Sequence, residues 1–326
     1  MPTRSKPKLN LRILILIFVL LSAISALANS FWVMFKIQKQ ELIENALEVN
    51  KAYASRIATS VEQVLNSDLD KLKYGSAMIG KAFNDQQHLA EEAQRLLGQD
   101  TSFNSVLITN SAGTIIASAP ESLYLNGQTL QDKEPLKLRT QVISNAFKSI
   151  AGNLLIFISQ PVFNAKGEYL GLVGGSIQLE QRNTLQALMD INVRQDGSHV
   201  YLIDSTRRVL YHPYPERIGN IAGQDLIAHA ALSQDAGTLQ AMDANGVEML
   251  AGFAKVPSSR WGVISQQPLG NIQAMLQATM SKVAKGIIPL ALFGLVLIWW
   301  LGAKISAPLS RLADSAKRLD TPERPA

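Results

Sequence analysis

The sequence predicts an α+β fold in which a long N-terminal helix and two tandem units with antiparallel sheets are flanked by two transmembrane helices. Two uncharged apolar stretches, residues 13–35 and 286–303, enclose 250 residues without a further stretch of this kind. Residues 36–74 contain no glycine or proline and carry apolar or small residues three and four positions apart, which is typical of one helix face. Short β-type runs separated by turn residues fill most of the remaining chain and occur as two similar sets.

The two apolar stretches are long enough to span a membrane, since they hold 23 and 18 residues and a spanning helix needs about 20. Basic residues flank both stretches: Arg4, Lys6, Lys8, Arg12, Lys304, Arg311, Lys317, Arg318 and Arg324. Lys and Arg beside a span stay on the cytoplasmic side. We therefore predict a two-pass protein of the bacterial inner membrane, with a cytoplasmic N-terminus at 1–12, a periplasmic body at 36–285 and a cytoplasmic C-terminus.

A cleaved secretory signal peptide is the alternative interpretation of the first stretch. Ala26-Leu27-Ala28 has the small-x-small pattern of a cleavage site. Apolar residues continue as far as Phe35, well past that position, which favours a retained span.

The composition excludes several classes of function. The tails outside the two stretches hold nine of the 31 basic residues and three of the 26 acidic ones, so the body between the stretches is close to neutral. The basic pI therefore reflects the charges beside the spans and does not indicate nucleic-acid binding. The chain has no cysteine, which excludes disulfides and Cys-ligated metals. Its four histidines lack metal-ligand spacing, and no phosphate loop or nucleophile elbow occurs. We predict no cofactor, no metal, no catalytic residue and no enzymatic activity in these residues.

The long helix after the first span has a continuous apolar or small stripe: Leu42, Ala46, Val49, Tyr53, Ile57, Ser60 and Val64. This stripe packs either on its own domain or on a second copy of the chain, because both arrangements give the same periodicity.

The first sheet-bearing unit is predicted from two hairpins. Runs 105–109 and 114–117 flank the turn Asn110-Ser111-Ala112-Gly113, and runs 154–163 and 169–179 flank a second turn. Residues 181–189 then have a helical pattern.

The second unit repeats the first. Val106 to Ser111 matches Val200 to Ser205 at a spacing of 94 residues, and Asn110 and Asp204 stand at the same turn, which suits side chains that bond a turn backbone. The unit continues with three predicted strands, at 237–242, 247–256 and 261–267, the first two joined by an Asn-Gly turn. A predicted helix over 269–285 leads into the second span.

The combined pattern over residues 36–285 resembles a double Cache sensor domain. The segments that carry the resemblance are Asn153 to Phe163, Gly167 to Ser176, Tyr211-His212-Pro213, Met249 to Ala254 and Arg260 to Val263. The resemblance implies two PAS-like units: a membrane-distal one at about 80–180 that binds the ligand, and a proximal one at about 195–268 that couples the signal to the second span.

The resemblance also implies a class of ligand. Family members that bind amino acids carry an aspartate for the ammonium group after the Gly-Gly of the last strand, and this chain has Ser176 there. Lys137 and Arg139 can hold a carboxylate, so a small organic anion is expected in preference to an amino acid. The predicted ligand-binding residues are Tyr124, Lys137, Arg139, Ser159 and Ser176. The alternative is that Lys137 and Arg139 are solvated loop charges.

Residues 304–326 resemble the opening helix of a HAMP relay domain. Ile305, Leu309, Leu312, Ala316 and Leu319 step by four, three, four and three, as a parallel coiled-coil seam requires, and Pro308 suits a first helical turn. The resemblance implies a parallel homodimer. The predicted relay residues are Gly286, Pro289, Pro308 and Leu309. A HAMP domain has two helices per chain, and the sequence ends after the first.

The sequence therefore predicts a transmembrane sensor whose cytoplasmic output lies beyond these residues. The sequences of these motifs resemble most closely those of sensors linked to diguanylate cyclases, although no Gly-Gly-Asp/Glu-Glu-Phe motif occurs in the chain. The ligand-binding half of a methyl-accepting chemoreceptor or a sensor histidine kinase is the alternative. A third possibility is a complete membrane sensor that acts through a partner.

Overall fold

The computed structural model describes residues 11–99, 101–130, 133–149, 152–189, 197–223, 225–243 and 245–319. Internal contacts divide the chain into two bodies. One body is Ile43–Asn271, which contains both sheets, and the other comprises the helical segments before Ile43 and after Asn271. The predicted basic residues Arg4, Lys6, Lys8 and Arg324 lie outside the described residues.

Six α-helices lie within the described residues. They are α1 (Leu11–Lys81), α2 (Gln86–Gly98), α3 (Glu134–Leu138), α4 (Thr184–Met189), α5 (Leu226–Ser233) and α6 (Leu269–Leu319). Asp85 caps α2 by accepting hydrogen bonds from the N–H groups of Gln87 and His88, and Asp225 caps α5 in the same way. Segments Ile17–Lys81 and Leu269–Leu301 are long and apolar enough to cross a membrane, and their apolar windows are not buried.

The first sheet is antiparallel. Its strands are β1 (Ser105–Asn110), β2 (Ile115–Ala119), β3 (Val142–Ile143), β4 (Phe147–Lys148), β5 (Leu154–Phe163) and β6 (Tyr169–Gln178). The order is β2-β1-β6-β5-β3, and β4 also pairs with β5. We call this sheet and its connecting segments, residues 105–178, the first unit.

The second sheet repeats this topology. Its strands are β7 (His199–Ile203), β8 (Val209–Tyr211), β9 (Ala236–Met242), β10 (Glu248–Val256) and β11 (Trp261–Pro268). The order is β8-β7-β11-β10-β9, with every pair antiparallel. We call residues 199–268 the second unit. The predicted repeat thus corresponds to two sheets of the same strand order.

The part of α1 within the sheet-bearing body packs against both sheets. Leu65 and Leu72 of α1 share one buried cluster with Ile156 of β5 and Trp261 of β11. Each such buried side chain contributes roughly 1.5–3 kcal/mol of hydrophobic stabilisation. The predicted apolar stripe therefore includes a face that packs on its own domain.

A buried contact joins the two units. The N–H of Ala146, just before β4, donates to Oδ2 of Asp204 at 3.0 Å, and Ser205 Oγ donates to Asn145 Oδ1 at 2.7 Å. Asp204 is fully buried. The turn that opens the second unit is thereby attached to the first.

The predicted fold class is confirmed: a long N-terminal helix, two antiparallel sheets and two candidate transmembrane helices are present. The prediction contained neither α2 nor α5, and α4 is shorter than the predicted helix over 181–189. The backbone of α6 is helical as far as Leu319. The side chains of the predicted seam, including Pro308 and Leu309, lie outside the described residues, and the HAMP resemblance stays a prediction.

Candidate ligand-binding site

A cavity of about 150 Å³ lies on one face of the first sheet. Its wall is formed by residues of β1, β2, β4, β5 and β6 and by residues outside the strands. The strand residues on the wall are Ser105, Leu107, Ile115, Phe147, Leu155, Phe157, Ser176 and Gln178. Because side chains alternate across a strand, these positions belong to one face of the sheet.

The strand pairing brings the wall residues together. Ser176 of β6 is paired with Ser105 on one side and with Phe157 on the other. The ring of Phe157 on β5 lies over Gly174 of β6, and a Cβ at position 174 would collide with this ring. The glycine of this strand therefore allows an aromatic ring to form part of the cavity wall.

A buried hydroxyl pair supplies the polar part of the sheet surface. Ser105 Oγ and Ser176 Oγ are 2.6 Å apart, and the two residues are only 7% and 4% exposed. Each hydroxyl has one proton and two lone pairs, so the pair has capacity left for a ligand.

Residues outside the strands add further polar groups. Thr129, Ser149 and Asn153 line the cavity, and Ser149 Oγ is buried without a hydrogen-bond partner among the described residues. Leu125 and Leu130 complete an apolar cluster around the space. The wall residues that the structure describes include no charged side chain.

The predicted ligand-binding residues are not all brought together. Ser176 is on the cavity wall, whereas Ser159 is buried on β5 and its hydroxyl is 3.5 Å from the carbonyl of Val142. Tyr124 is 84% exposed between the wall residues Leu123 and Leu125.

Lys137 and Arg139 are exposed and are not part of the described wall. The Arg139 guanidinium lies over the ring of Tyr169, 5.0 Å from its centroid. Burial raises the pKa of the Tyr169 phenol, and Arg139 opposes that shift. The ligand roles of Lys137 and Arg139 stay predictions.

Most residues of the cavity wall were not among the predicted ligand-binding residues, of which only Ser176 lines it. Side chains alternate between the two faces of a strand, so Gln178 could have been predicted to share the face of Ser176. The strand neighbours of Ser176, Ser105 and Phe157, could have been predicted from the pairing of β6 with β1 and β5. Thr129, Ser149 and Asn153 come from irregular segments whose fold no period predicts. Among the described residues, no group of three or more His, Cys, Asp or Glu side chains could hold a metal ion.

The chain matches the family model of the Cache domain, dCache_1, over residues 36–276, and it belongs to this family. The comparison with curated protein sequences gives no match.

Solved structures share the fold. The ligand-binding domain of the Pseudomonas fluorescens chemoreceptor CtaA with L-isoleucine has a TM-score of 0.58 at 16% identity, covering 73% of this chain and 98% of that domain. The extracellular domain of soHK1S-Z6, assigned to a histidine kinase, has a TM-score of 0.55 at 18% identity over 72% and 98%. An extracellular ligand-binding receptor from Desulfohalobium retbaense has a TM-score of 0.56 at 16% identity, covering 66% of this chain but 39% of that receptor.

Proposed function

We propose that this chain is the sensory part of a two-pass membrane receptor, which binds a small molecule in a periplasmic Cache body and relays the signal to a cytoplasmic output. The cavity on the first sheet carries the proposal, because a concave, mainly apolar space with a few converging polar groups is the usual form of a small-molecule site. The two candidate spans on either side of the body in sequence support the topology.

The wall of the cavity favours a small ligand without net charge. Its described polar groups are hydroxyls and amides, which can direct a neutral ligand but do not balance a buried charge. An amino acid would bring both a carboxylate and an ammonium group. The organic anion expected from Lys137 and Arg139 would have to bind at the exposed surface near Tyr169 instead.

The relay we propose follows the chain from β11 directly into α6, which contains Gly286, Pro289 and the HAMP-like helix with Pro308 and Leu309. In a parallel homodimer, a shift of α6 would favour one of two coiled-coil packings. Ligand affects this equilibrium only through different affinities for the two states. A change from 1:99 to 99:1 requires about 5.5 kcal/mol of differential binding.

The proposed output is a diguanylate cyclase domain that follows the HAMP-like helix, with c-di-GMP as its product. A chemoreceptor signalling domain or a histidine kinase is the second candidate, favoured by the structural likeness to the extracellular domains of such proteins. Reading the coding sequence past Ala326 separates them. A Gly-Gly-Asp/Glu-Glu-Phe domain supports the cyclase, long charged heptads support the chemoreceptor, and an immediate stop codon contradicts both.

Ligand binding is tested by thermal-shift screening of residues 1–326 in detergent against a library of small neutral metabolites and organic anions. A ligand at 100 times its Kd stabilises the folded state by about 2.7 kcal/mol. We expect Ser176→Val to abolish the shift given by a neutral hit, since the valine replaces a wall hydroxyl. Arg139→Ala distinguishes neutral ligands from organic anions. If a compound loses binding in Arg139→Ala but not in Ser176→Val, it is an anion bound at the exposed surface. Absence of any stabilising compound contradicts the proposed function.

A further inference from the structure

A second, larger cavity of about 790 Å³ occupies the corresponding place in the second unit. The spacing of 94 residues maps Leu107 onto Tyr201 and Ile115 onto Val209. All four residues line the cavity of their own unit. The two cavities are therefore formed by equivalent faces of the two sheets.

The buried polar pairs are equivalent as well. Ser105 maps onto His199, and the partners of these residues on the neighbouring strand are Ser176 and Gln266. Gln266 Nε2 and His199 Nε2 are 2.9 Å apart, so both pairs form a hydrogen bond across the sheet. Of this second pair, Gln266 lines the larger cavity, whereas His199 lines a smaller neighbouring cavity that Gln266 also borders.

The strand pairing also accounts for part of the difference in size. Ser176 is paired with Phe157 on β5, whereas Gln266 is paired with Ala251 on β10. The second unit therefore has a methyl group at the position where an aromatic ring fills the first cavity.

Gln266 brings an unused acceptor to the second cavity. His199 Nδ1 is 2.9 Å from the carbonyl of Gly197 and must donate to it, which makes Nε2 the acceptor for the Gln266 amide N–H. This fixes the orientation of the amide. Gln266 is 3% exposed, and its Oε1 is buried without a partner among the described residues. An unpaired buried acceptor is costly, and a donor on a ligand would satisfy it.

Arg217 and His212 bring donors to the same cavity. The described residues provide no hydrogen bond or ion pair to the Arg217 guanidinium. Nδ1 of His212 accepts the N–H of Tyr214 at 3.0 Å, which leaves Nε2 to carry the proton in the neutral ring. Burial, with contributions from His199 and Arg217, lowers the pKa of His212 to about 3, so the ring is neutral at ordinary pH.

The two acidic residues on the wall are already bonded. Asp225 Oδ1 accepts N–H groups at the start of α5 and its Oδ2 accepts the Tyr201 hydroxyl at 3.2 Å. Asp243 Oδ1 accepts the N–H groups of Asn245 and Val247 in the β9–β10 turn. Both aspartates therefore have hydrogen-bond partners within the chain. The Arg217 guanidinium is the charged group of the wall that lacks a partner among the described residues.

The remaining wall is mainly apolar: Val209, Ile221, Ala222, Leu226 and Met242 lie there with Gly223 and with Asn220, whose side-chain amide donates to the carbonyl of Glu216. A ligand for this cavity needs a group for each of these features. A carboxylate satisfies a free guanidinium, a neighbouring hydroxyl or amino group satisfies Gln266 Oε1, and an apolar tail covers the aliphatic wall.

We propose that the second unit contains a second ligand site, specific for organic carboxylates that carry a hydroxyl or amino donor beside the carboxylate and an apolar tail. Arg217 binds the carboxylate, and Gln266 accepts the hydrogen bond from the donor. The site is independent of the first cavity, so the receptor responds to two ligands of different chemistry.

Three compounds with one skeleton test the site by calorimetry on residues 1–326 in detergent: 2-hydroxy-4-methylpentanoate, leucine and 4-methylpentanoate. The first two carry the donor and the third lacks it. We expect at least one donor-bearing compound to bind about tenfold or more tightly than 4-methylpentanoate, because leaving the buried Gln266 acceptor unpaired costs at least a factor of this size. The tighter of the two identifies the donor as hydroxyl or amino.

Two variants assign the binding to this cavity. Gln266→Met keeps the length of the side chain and is expected to bring the affinities of the three compounds within about twofold of one another. Arg217→Met is expected to weaken all of them at least about tenfold. The matched control is Arg260→Met, which removes an exposed arginine at the β10–β11 turn away from the cavity and should leave all affinities unchanged.

Equal affinity for the three compounds, or no binding of any, overturns the proposal. Binding that persists in Arg217→Met but disappears in Ser176→Val also overturns it, because the ligand would then occupy the first cavity. That last result would support the proposed function of the first unit, so the two proposals fail separately.

Discussion

Asn110 and Asp204 stand at the same turn in the two units, and each side chain accepts two backbone N–H groups of its turn. The sequence repeat predicted these turns, and they are present. Asp204 differs in having a second oxygen, which accepts the N–H of Ala146 in the first unit. The aspartate thereby joins the units, whereas Asn110 completes only its own turn.

Asp204→Asn separates these two roles. Oδ1 keeps its bonds to Thr206 and Arg208, but the new NH₂ group opposes the N–H of Ala146 and leaves a buried donor unpaired. We expect a loss of about 1–3 kcal/mol of unfolding free energy, measured as the urea midpoint of residues 1–326 in detergent. Asn110→Asp is the control and should change it by less than about 0.5 kcal/mol. Equal effects of the two substitutions would show that the bond between the units adds no stability.

His212 makes the stability of the second unit depend on pH. Its pKa is about 3 in the folded chain because of burial, the nearby His199 and the nearby Arg217, and 6.5 is the ordinary value in the unfolded chain. Between these values the unfolded state binds more protons, so stability falls as pH falls below 6.5. We expect a loss of about 1–2 kcal/mol between pH 7.5 and 5.

His212→Asn checks this expectation, since its side-chain oxygen can replace Nδ1 as the acceptor for the Tyr214 N–H. The difference between the wild-type and variant pH profiles of unfolding isolates the histidine from other groups. If the stabilities of the wild type and of His212→Asn change in parallel down to pH 5, His212 is not the cause of the pH dependence.

Among single residues, the sequence predicted those whose role is local. Asn110 and Asp204 could be predicted because a turn depends on the residue type that bonds its own backbone. The free acceptor of Gln266 depends on the contact with His199, 67 positions away, and the neutral ring of His212 depends on burial and on the neighbouring His199 and Arg217. No local pattern contains that information.

At the scale of elements, α1 is the helix on which both sheets of the body pack. Asn50 Nδ2 donates to the carbonyl of Leu250 on β10, and Asn50 Oδ1 accepts from Ser265 Oγ on β11. At Gly252 of β10 the helix backbone comes so close that a Cβ would collide with Lys51. Close contact of this kind holds the helix and the second sheet in one arrangement.

Gly252→Ala therefore should force α1 and β10 apart. Overpacking a tight contact costs about 1–3 kcal/mol, which corresponds to a fall of roughly 2–4 °C in the melting temperature per kcal/mol for a body of this size. Gly270→Ala is the matched control, since a Cβ there meets no atom within 4 Å. A melting temperature for Gly252→Ala within 1–2 °C of the control would show that the contact adapts without cost.

The predictability of the elements follows their length and pattern. The hairpins of β5–β6 and β9–β10 were predicted because apolar runs and turn residues mark them. Helix α5 was missed because it has only eight residues, whereas α2 was missed although its buried residues recur at helical spacing after the N-cap Asp85. The cavity walls combine such strands with irregular segments, so only the sheet side of each could be deduced from sequence.

At the scale of the whole molecule, a series of contacts connects the first cavity to the second unit. Phe147 lines the first cavity, and the preceding residue, Ala146, is bonded to Asp204 at the start of the second unit. The second unit ends at β11, and α6 begins at the next residue and contains the second candidate span. The wall of the first cavity thus has a continuous hydrogen-bonded and covalent connection to the helix that contains the second candidate span.

Pro289 is the position in α6 at which this transmission can be tested without altering either cavity. Proline inside a helix removes one backbone hydrogen bond and crowds the carbonyl four residues earlier, which favours a kink. Pro289→Leu restores the N–H and stiffens the helix. Under the proposed function, the cellular signalling response to ligand should change, while the calorimetric affinity of residues 1–326 stays the same. Leu290→Ile is the control, since it alters the neighbouring exposed side chain but not the backbone. If the dose–response curves of the proline variant and the control coincide with that of the wild type, the helix transmits the signal as a rigid rod and the proline has no part in it.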